Sequence, residues 1–246
     1  MTPTELKSLF RTMYGRIGGK SNRDVKWYFG RRKNVSRRSF FEQTVWAIWV
    51  GGKARKAAES FLKRAESIGF VWDFRDFASW HRRRLSRFME RLHGTPVPPR
   101  AAKMWKTIHD VATQLAHYQD EKAFQRSCFG AKSKSIELNS TDVQRIMDMG
   151  INFVGNANAH FIVRNMGGEA IKCDRYIEEF IGHYALTLTG LEQQLRQIKV
   201  RLGLFDVVLW AYCERFVHQV KNLANHFNGL VSANPRMQLT HKQPRG

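Results

Sequence analysis

The stretch Thr141-Asp142-Val143-Gln144-Arg145-Ile146-Met147-Asp148-Met149-Gly150-Ile151-Asn152-Phe153-Val154-Gly155-Asn156-Ala157-Asn158-Ala159 decides how the chain is read. Thr141 and Gln144 have the spacing of a capping box, which predicts a helix start there. That helix turns Val143, Ile146 and Met147 inward and ends at Met149-Gly150. A tight turn follows, and a second helix runs through Ile162 and Val163 to about Asn165, where Gly167-Gly168 stops it. Helix, tight hairpin, helix has a physical use. The hairpin amides and the positive end of the second helix point outward together and suit one DNA phosphate, without reading sequence. Gly155 allows close backbone approach, and Asn156 and Asn158 offer side-chain donors. Beyond the glycines, Ile171-Lys172-Cys173-Asp174-Arg175-Tyr176-Ile177 leads into another helix.

Working outward, helical spacing recurs and no alternation of period two persists, so the fold class expected is all-α. Phe41, Val45, Ile48 and Trp49 share one face of a helix that breaks at Gly51-Gly52. An apolar stripe then resumes at Ala54, Ala57, Ala58, Phe61 and Leu62, beside Lys53, Arg55 and Lys56. Residues 74–93 read as one amphipathic helical block. Its Arg82, Arg83, Arg84, Arg87 and Arg91 oppose Trp80, Leu85, Phe88 and Leu92. A proline-rich loop at 94–99 precedes a helix from about Arg100 to Tyr118. Residues 1–39 read as a basic arm in which Trp27, Tyr28 and Phe29 sit among cations. Those rings either dock on the core or pack on bases. Residues 40–225 make the helical domain and 226–246 a basic tail.

Lysine plus arginine number 41 against 21 acids, a net charge of +20. Such an excess costs self-repulsion and marks a polyanionic partner, with nucleic acid preferred over an anionic membrane surface. No apolar run is long enough for a membrane span, and residues 1–10 lack a secretory pattern. The reading is intracellular, in the cytoplasm or nucleoid. Three widely spaced cysteines, Cys128, Cys173 and Cys213, fit neither a disulfide framework nor a zinc or iron–sulfur site, so no metal and no cofactor are expected.

The hairpin and the aspartate after it resemble the helix-hairpin-helix DNA glycosylase superfamily. Its hairpin has the form Leu-Pro-Gly-Val-Gly-x-Lys-x-Ala and is followed by a Val-Asp-x-His-like segment. Ile151, Val154, Gly155 and Ala159 stand at matching positions, and Asp174 falls where the family's catalytic aspartate falls. The segment Leu204-Phe205-Asp206-Val207-Val208-Leu209-Trp210 is similar to the family's final buried helix. The resemblance spans residues 40–220 and implies a two-lobed helical glycosylase-like fold with a cleft between lobes. Phe153 replaces the first hairpin glycine, and Ala157 stands where lyase members carry their Schiff-base lysine. The resemblance therefore implies hydrolysis without lyase chemistry.

On this basis the chain is expected to bind duplex DNA, flip a nucleotide and act on its base, most simply as a monofunctional N-glycosylase. Asp174 would stabilise an oxocarbenium-like sugar and orient water. The competing reading of Asp174 is an N-cap for the helix that follows. The expected DNA contacts are Gly155, Asn156, Asn158, Lys53, Arg55, Lys172, Arg175, Arg82, Arg83 and Arg84. Two alternatives accompany this. One is a bacteriophage amino acid:DNA transferase that displaces pyrophosphate from 5-pyrophosphoryloxymethyl-deoxyuridine, with an amino acid such as glycine as co-substrate, acting in host cytoplasm. The other is a DNA-binding module without chemistry.

Overall fold

The computed structural model describes residues 1–31, 35–50, 55–130, 138–217 and 227, apart from the side chains of Arg31 and Arg55. The chain is all-helical, with thirteen α-helices and no strand among the described residues. Its contacts divide it into two compact units: Met1–Gly30 with Ile171–Gly246, and Arg31–Ala170.

The first unit opens with α1 (Pro3–Arg16), which starts on a capping box of Thr2 and Glu5. A short 3₁₀ turn (Gly19–Ser21) leads to α2 (Arg23–Arg31), whose first amides, on Asp24 and Val25, donate to the Asn22 side chain. The stretch read as an arm is thus folded: Leu6, Leu9, Met13, Val25 and Tyr28 are buried in this unit's core. The unit's remaining helices follow in the later chain.

The central unit contains α3 (Arg37–Val50), α4 (Arg55–Ser67), α5 (Phe74–Ala78), α6 (Arg82–His93), α7 (Pro99–His117), α8 (Glu121–Phe129), α9 (Ser140–Asp148) and α10 (Asn156–Asn165). Trp105, wholly buried on α7, meets Trp49, Phe70, Phe77 and Phe88 at ring-centroid distances of 4.9 to 6.3 Å. A core this rich in aromatics gains from edge-to-face geometry as well as from area. Phe88 and Trp105, for example, stand at an interplanar angle of 89°. Buried Arg37 holds the start of α3 to α8 through a 3.0 Å ion pair with Glu121.

Residues 74–93 are two helices, not the single block expected from their spacing. The interruption at 79–81 has two causes, one from α7 and one local. The Trp80 carbonyl lies 2.9 Å from His109 Nε2, and His81 adopts extended backbone and accepts the Arg84 amide on its ring nitrogen. A second difference lies at the start of α9. The cap is Asn139, whose side chain accepts from the Thr141 amide, while Asp142 reaches back to the Asn139 amide at 2.9 Å. Asp142 is the stronger partner because it is buried and held by Arg145 at 2.8 Å. Thr141 and Gln144 therefore do not form the box.

The predicted stop of α10 is real. Gly167 takes φ +81, and the Gly168 amide closes back on the Val163 carbonyl at 2.9 Å. Gly168 has no room for a side chain: an added Cβ would stand 2.7 Å from Leu138 and Val163 side-chain atoms and 2.8 Å from the Val163 carbonyl oxygen. Because one of these is backbone, Gly168→Ala is expected to destabilise the chain by about 1–3 kcal/mol. A denaturant midpoint unchanged from wild type would contradict this.

After Ala170 the chain enters the first unit again. It forms α11 (Arg175–His183), α12 (Leu188–Gln197) and α13 (Leu202–Phe216). The last is buried along nearly all its length, from Leu202 to Cys213, which agrees with the buried helix expected at 204–210. Among the described residues, no helix is long and apolar enough to cross a membrane.

Candidate nucleic-acid interface

In the central unit the hairpin runs from 149 to 155 between α9 and α10. Two residues carry its sharp reversal in left-handed backbone, Gly150 at φ +64 and Phe153 at φ +65. Glycine occupies this region without penalty, whereas a side chain there costs about 1–2 kcal/mol. Phe153, at the position of the first hairpin glycine in the resemblance, keeps the left-handed turn despite its side chain. Its half-buried ring packs against the core, and Lys103 of α7 lies 5.8 Å from the ring centroid. Lys103 is exposed, and sequence reading passed over it because only the fold sets it beside the hairpin.

Gly155 is the N-cap of α10 and offers no side chain to the helix's first amides. Gly155, Asn156 and Ala157 are all exposed. α8, α9, α11 and α12 each receive a side-chain cap, whereas α7 and α13 start, like α10, without one. The positive end of α10 is thus left for solvent or a ligand, as an anion site requires. Asn156 stands beside these amides. Asn158 instead serves the turn itself, since its amide nitrogen donates to the Phe153 carbonyl at 2.7 Å and ties the turn to the helix. A recess of about 130 Å³ on α7's side of the turn is lined by Thr107, Asp110, Val111, Gln114 and residues 149–152. It carries a carboxylate and no cation, so it does not suit a phosphate.

His160, half-buried in α10, has its pKa lowered by burial. An imidazole that binds its proton less readily when folded makes unfolding easier as pH falls below its free value of about 6.5. Stability is therefore expected to decline from pH 7 toward pH 5, and His160→Gln should flatten that slope. An unchanged slope in the variant would assign the effect elsewhere.

The arginines of α6 divide. Arg84 stacks on Trp80, with its guanidinium 4.2 Å from the ring centroid, and lies 3.9 Å from Asp76. Arg82 and Arg83 are exposed in the same first turn, which holds no acid. Cations at the positive end of a helix oppose its dipole, so the placement is not a stabilising one for the free chain. Of the two cations expected near the glycine break, Lys53 lies outside the described residues. Arg55 begins α4, but its side chain is outside them as well.

In the first unit, Asp174 is the N-cap of α11. One carboxylate oxygen accepts the Tyr176 amide at 3.0 Å and the Ile177 amide at 3.4 Å. The other lies 3.8 Å from the Lys172 ammonium, and about a fifth of the Asp174 side chain is exposed. The capping role therefore coexists with a second oxygen that faces the Lys172 ammonium. Arg175 is exposed and turns to Tyr176, with its guanidinium 4.9 Å from the ring centroid and 3.1 Å from the hydroxyl. That hydroxyl donates to Glu214 at 2.9 Å; burial, and then this bond, push its pKa up and keep it a donor.

Asp206 was not singled out from the sequence. It is buried on α13, and its carboxylate accepts the Lys172 amide at 2.7 Å, two residues before Asp174. An acid inside the apolar run Leu204-Phe205-Asp206-Val207-Val208 was the available signal, since such a group is kept inside only with a partner. Cys173 is a poor nucleophile here: burial, followed by the charges of Glu178, Asp174 and Asp206, pushes its thiol up. Burial takes Cys213 up to about 12. No group of histidine, cysteine and acidic side chains able to hold a metal exists among the described residues.

No protein-family model, no curated protein and no solved structure matches the chain.

Proposed function

We propose that the chain is a DNA-binding, base-directed enzyme, most simply a monofunctional N-glycosylase. The observation that carries the reading is the hairpin of 149–155: a left-handed turn delivers α10 with its first amides exposed and without a side-chain cap. Those amides take a phosphodiester oxygen, and exposed cations such as Lys103, Arg82 and Arg83 add non-specific attraction. Asp174 supplies the carboxylate. While one oxygen holds the start of α11, the other, beside the Lys172 ammonium, would oppose positive charge developing on a sugar whose base is leaving. Ala157 provides no amine, so no Schiff base forms at that position.

The test is mass spectrometry of nucleosides after incubation with duplexes carrying varied bases, with and without glycine. A released free base supports the glycosylase. A mass gain on 5-pyrophosphoryloxymethyl-deoxyuridine with pyrophosphate release assigns the transferase instead. The capping bonds of Asp174 favour one further reading, a binding module without chemistry, and unaltered nucleosides in every duplex would select it. In all three cases DNA affinity is expected to fall steeply as salt rises, because phosphate neutralisation releases counterions. A flat response between low and moderate salt would contradict DNA binding through this basic surface.

A further inference from the structure

The three aromatic residues of α2 have different fates. Tyr28 is fully buried and Trp27 is half-buried, but Phe29 is 38% exposed, and it is the large apolar side chain that stands exposed among the described residues. Its ring leans edge-on against Tyr28, with centroids 5.6 Å apart and planes at 68°, so it is braced from one side and open on the other. Lys26, one turn earlier on the same side, is exposed, as is Arg23 a turn before that. Gly30 follows the ring, and a Cβ built there would meet nothing within 4 Å. Half-buried Asp24 is the acid of this helix.

Resting on the DNA-binding reading above, we infer that Phe29 is a stacking platform for an unpaired nucleobase of DNA, with Lys26 and Arg23 holding the flanking phosphates. An exposed ring costs hydration free energy in the isolated chain. A nucleobase matches it in shape, being flat, apolar on its faces and attached to anions on both sides. The charge of the surroundings, within a chain of net charge +20, selects a polyanion over an apolar protein segment. The edge contact with Tyr28 restricts the ring, which lowers the entropy lost when a base settles on it.

The unpaired base has two sources, a single strand or a gap in a duplex, and the experiment separates them. Binding is measured by fluorescence anisotropy for wild type, Phe29→Ala, Phe29→Leu and Phe29→Trp. The probes are a single strand, a duplex with one unpaired base, a fully paired duplex and anionic phospholipid vesicles, the unpaired base being 2-aminopurine. Phe29→Ala and Phe29→Leu are expected to lose roughly ten-fold or more in affinity for the probes with an unpaired base and far less for the paired duplex. They should also lose the quenching of 2-aminopurine that stacking produces, whereas Phe29→Trp retains both. Loss on the single strand alone assigns the platform to strands, and loss on the gapped duplex alone assigns it to an unpaired base in a duplex. Wild-type binding and quenching preserved in Phe29→Ala would overturn the platform while leaving DNA binding intact. A wild-type chain that binds none of the probes would overturn both. If Phe29→Ala weakened binding only to anionic phospholipid vesicles, the ring would belong to a membrane surface and the platform would be rejected.

Discussion

Asp174→Asn is expected to abolish turnover, by at least about 10²-fold, while leaving the fold and DNA affinity intact. The separation rests on what asparagine retains. Its side-chain oxygen accepts the Tyr176 and Ile177 amides as the carboxylate does, and asparagine and aspartate are about equal as N-caps. It gives up the negative charge that faces Lys172 and, in the proposed reaction, the charge that would oppose a cationic sugar. Asp174→Ala removes both functions and should cost an additional ~1 kcal/mol of stability from the lost cap. Equal melting temperatures for wild type and Asp174→Asn, with activity lost only in the variant, would assign chemistry to the residue. An active Asp174→Asn would leave capping as its whole role. Tighter DNA binding by the variant fits as well, since removing a carboxylate removes repulsion from phosphates.

The second large effect is expected at Asp206. Its buried carboxylate fixes the Lys172 amide at 2.7 Å and so holds the short segment that carries Asp174 against α13. Asp206→Leu leaves that amide without its acceptor in an apolar setting, a loss of about 2–4 kcal/mol when the missing charged hydrogen bond and the unsatisfied donor are taken together. Asp206→Asn keeps an oxygen for the amide and should lose much less. Urea unfolding of the two variants checks this order. If they were equally stable, the bond would not be what secures the segment. Because the effect acts on position, Asp206→Leu should also raise KM or lower kcat by more than Asp206→Asn does.

Much of the fold was readable because it rests on periodicity. The buried faces of α7 and α9 repeat at helical spacing, α3 and α13 are apolar along most of their length, and Gly167-Gly168 marks the end of α10 without help from distant residues. The misreadings come from side-chain partners that periodicity does not show. The break at Ser79-Trp80-His81 depends on His109, 29 residues away in sequence, meeting the Trp80 carbonyl. The Asn139 cap outcompetes Thr141 because Asp142 is buried beside Arg145. In the candidate site, the hairpin and the position of Asp174 at a helix start were legible from local spacing. Whether Asn158 faced a ligand or its own turn was not, since the Phe153 carbonyl that it binds becomes available only once the left-handed turn has formed. Nor did composition alone distinguish Tyr28 from Phe29, two aromatic neighbours of which one is buried and the other exposed.

The most direct test is to follow the backbone amide resonances of the ¹⁵N-labelled chain as duplex DNA is added at low salt. The account predicts that the amides of Gly155, Asn156 and Ala157 shift early and saturate with the bound fraction, as expected for donors to a phosphate oxygen. If DNA bound while these three amides kept their free-state positions, the hairpin would not be the phosphate grip, and the proposed function would lose its foundation.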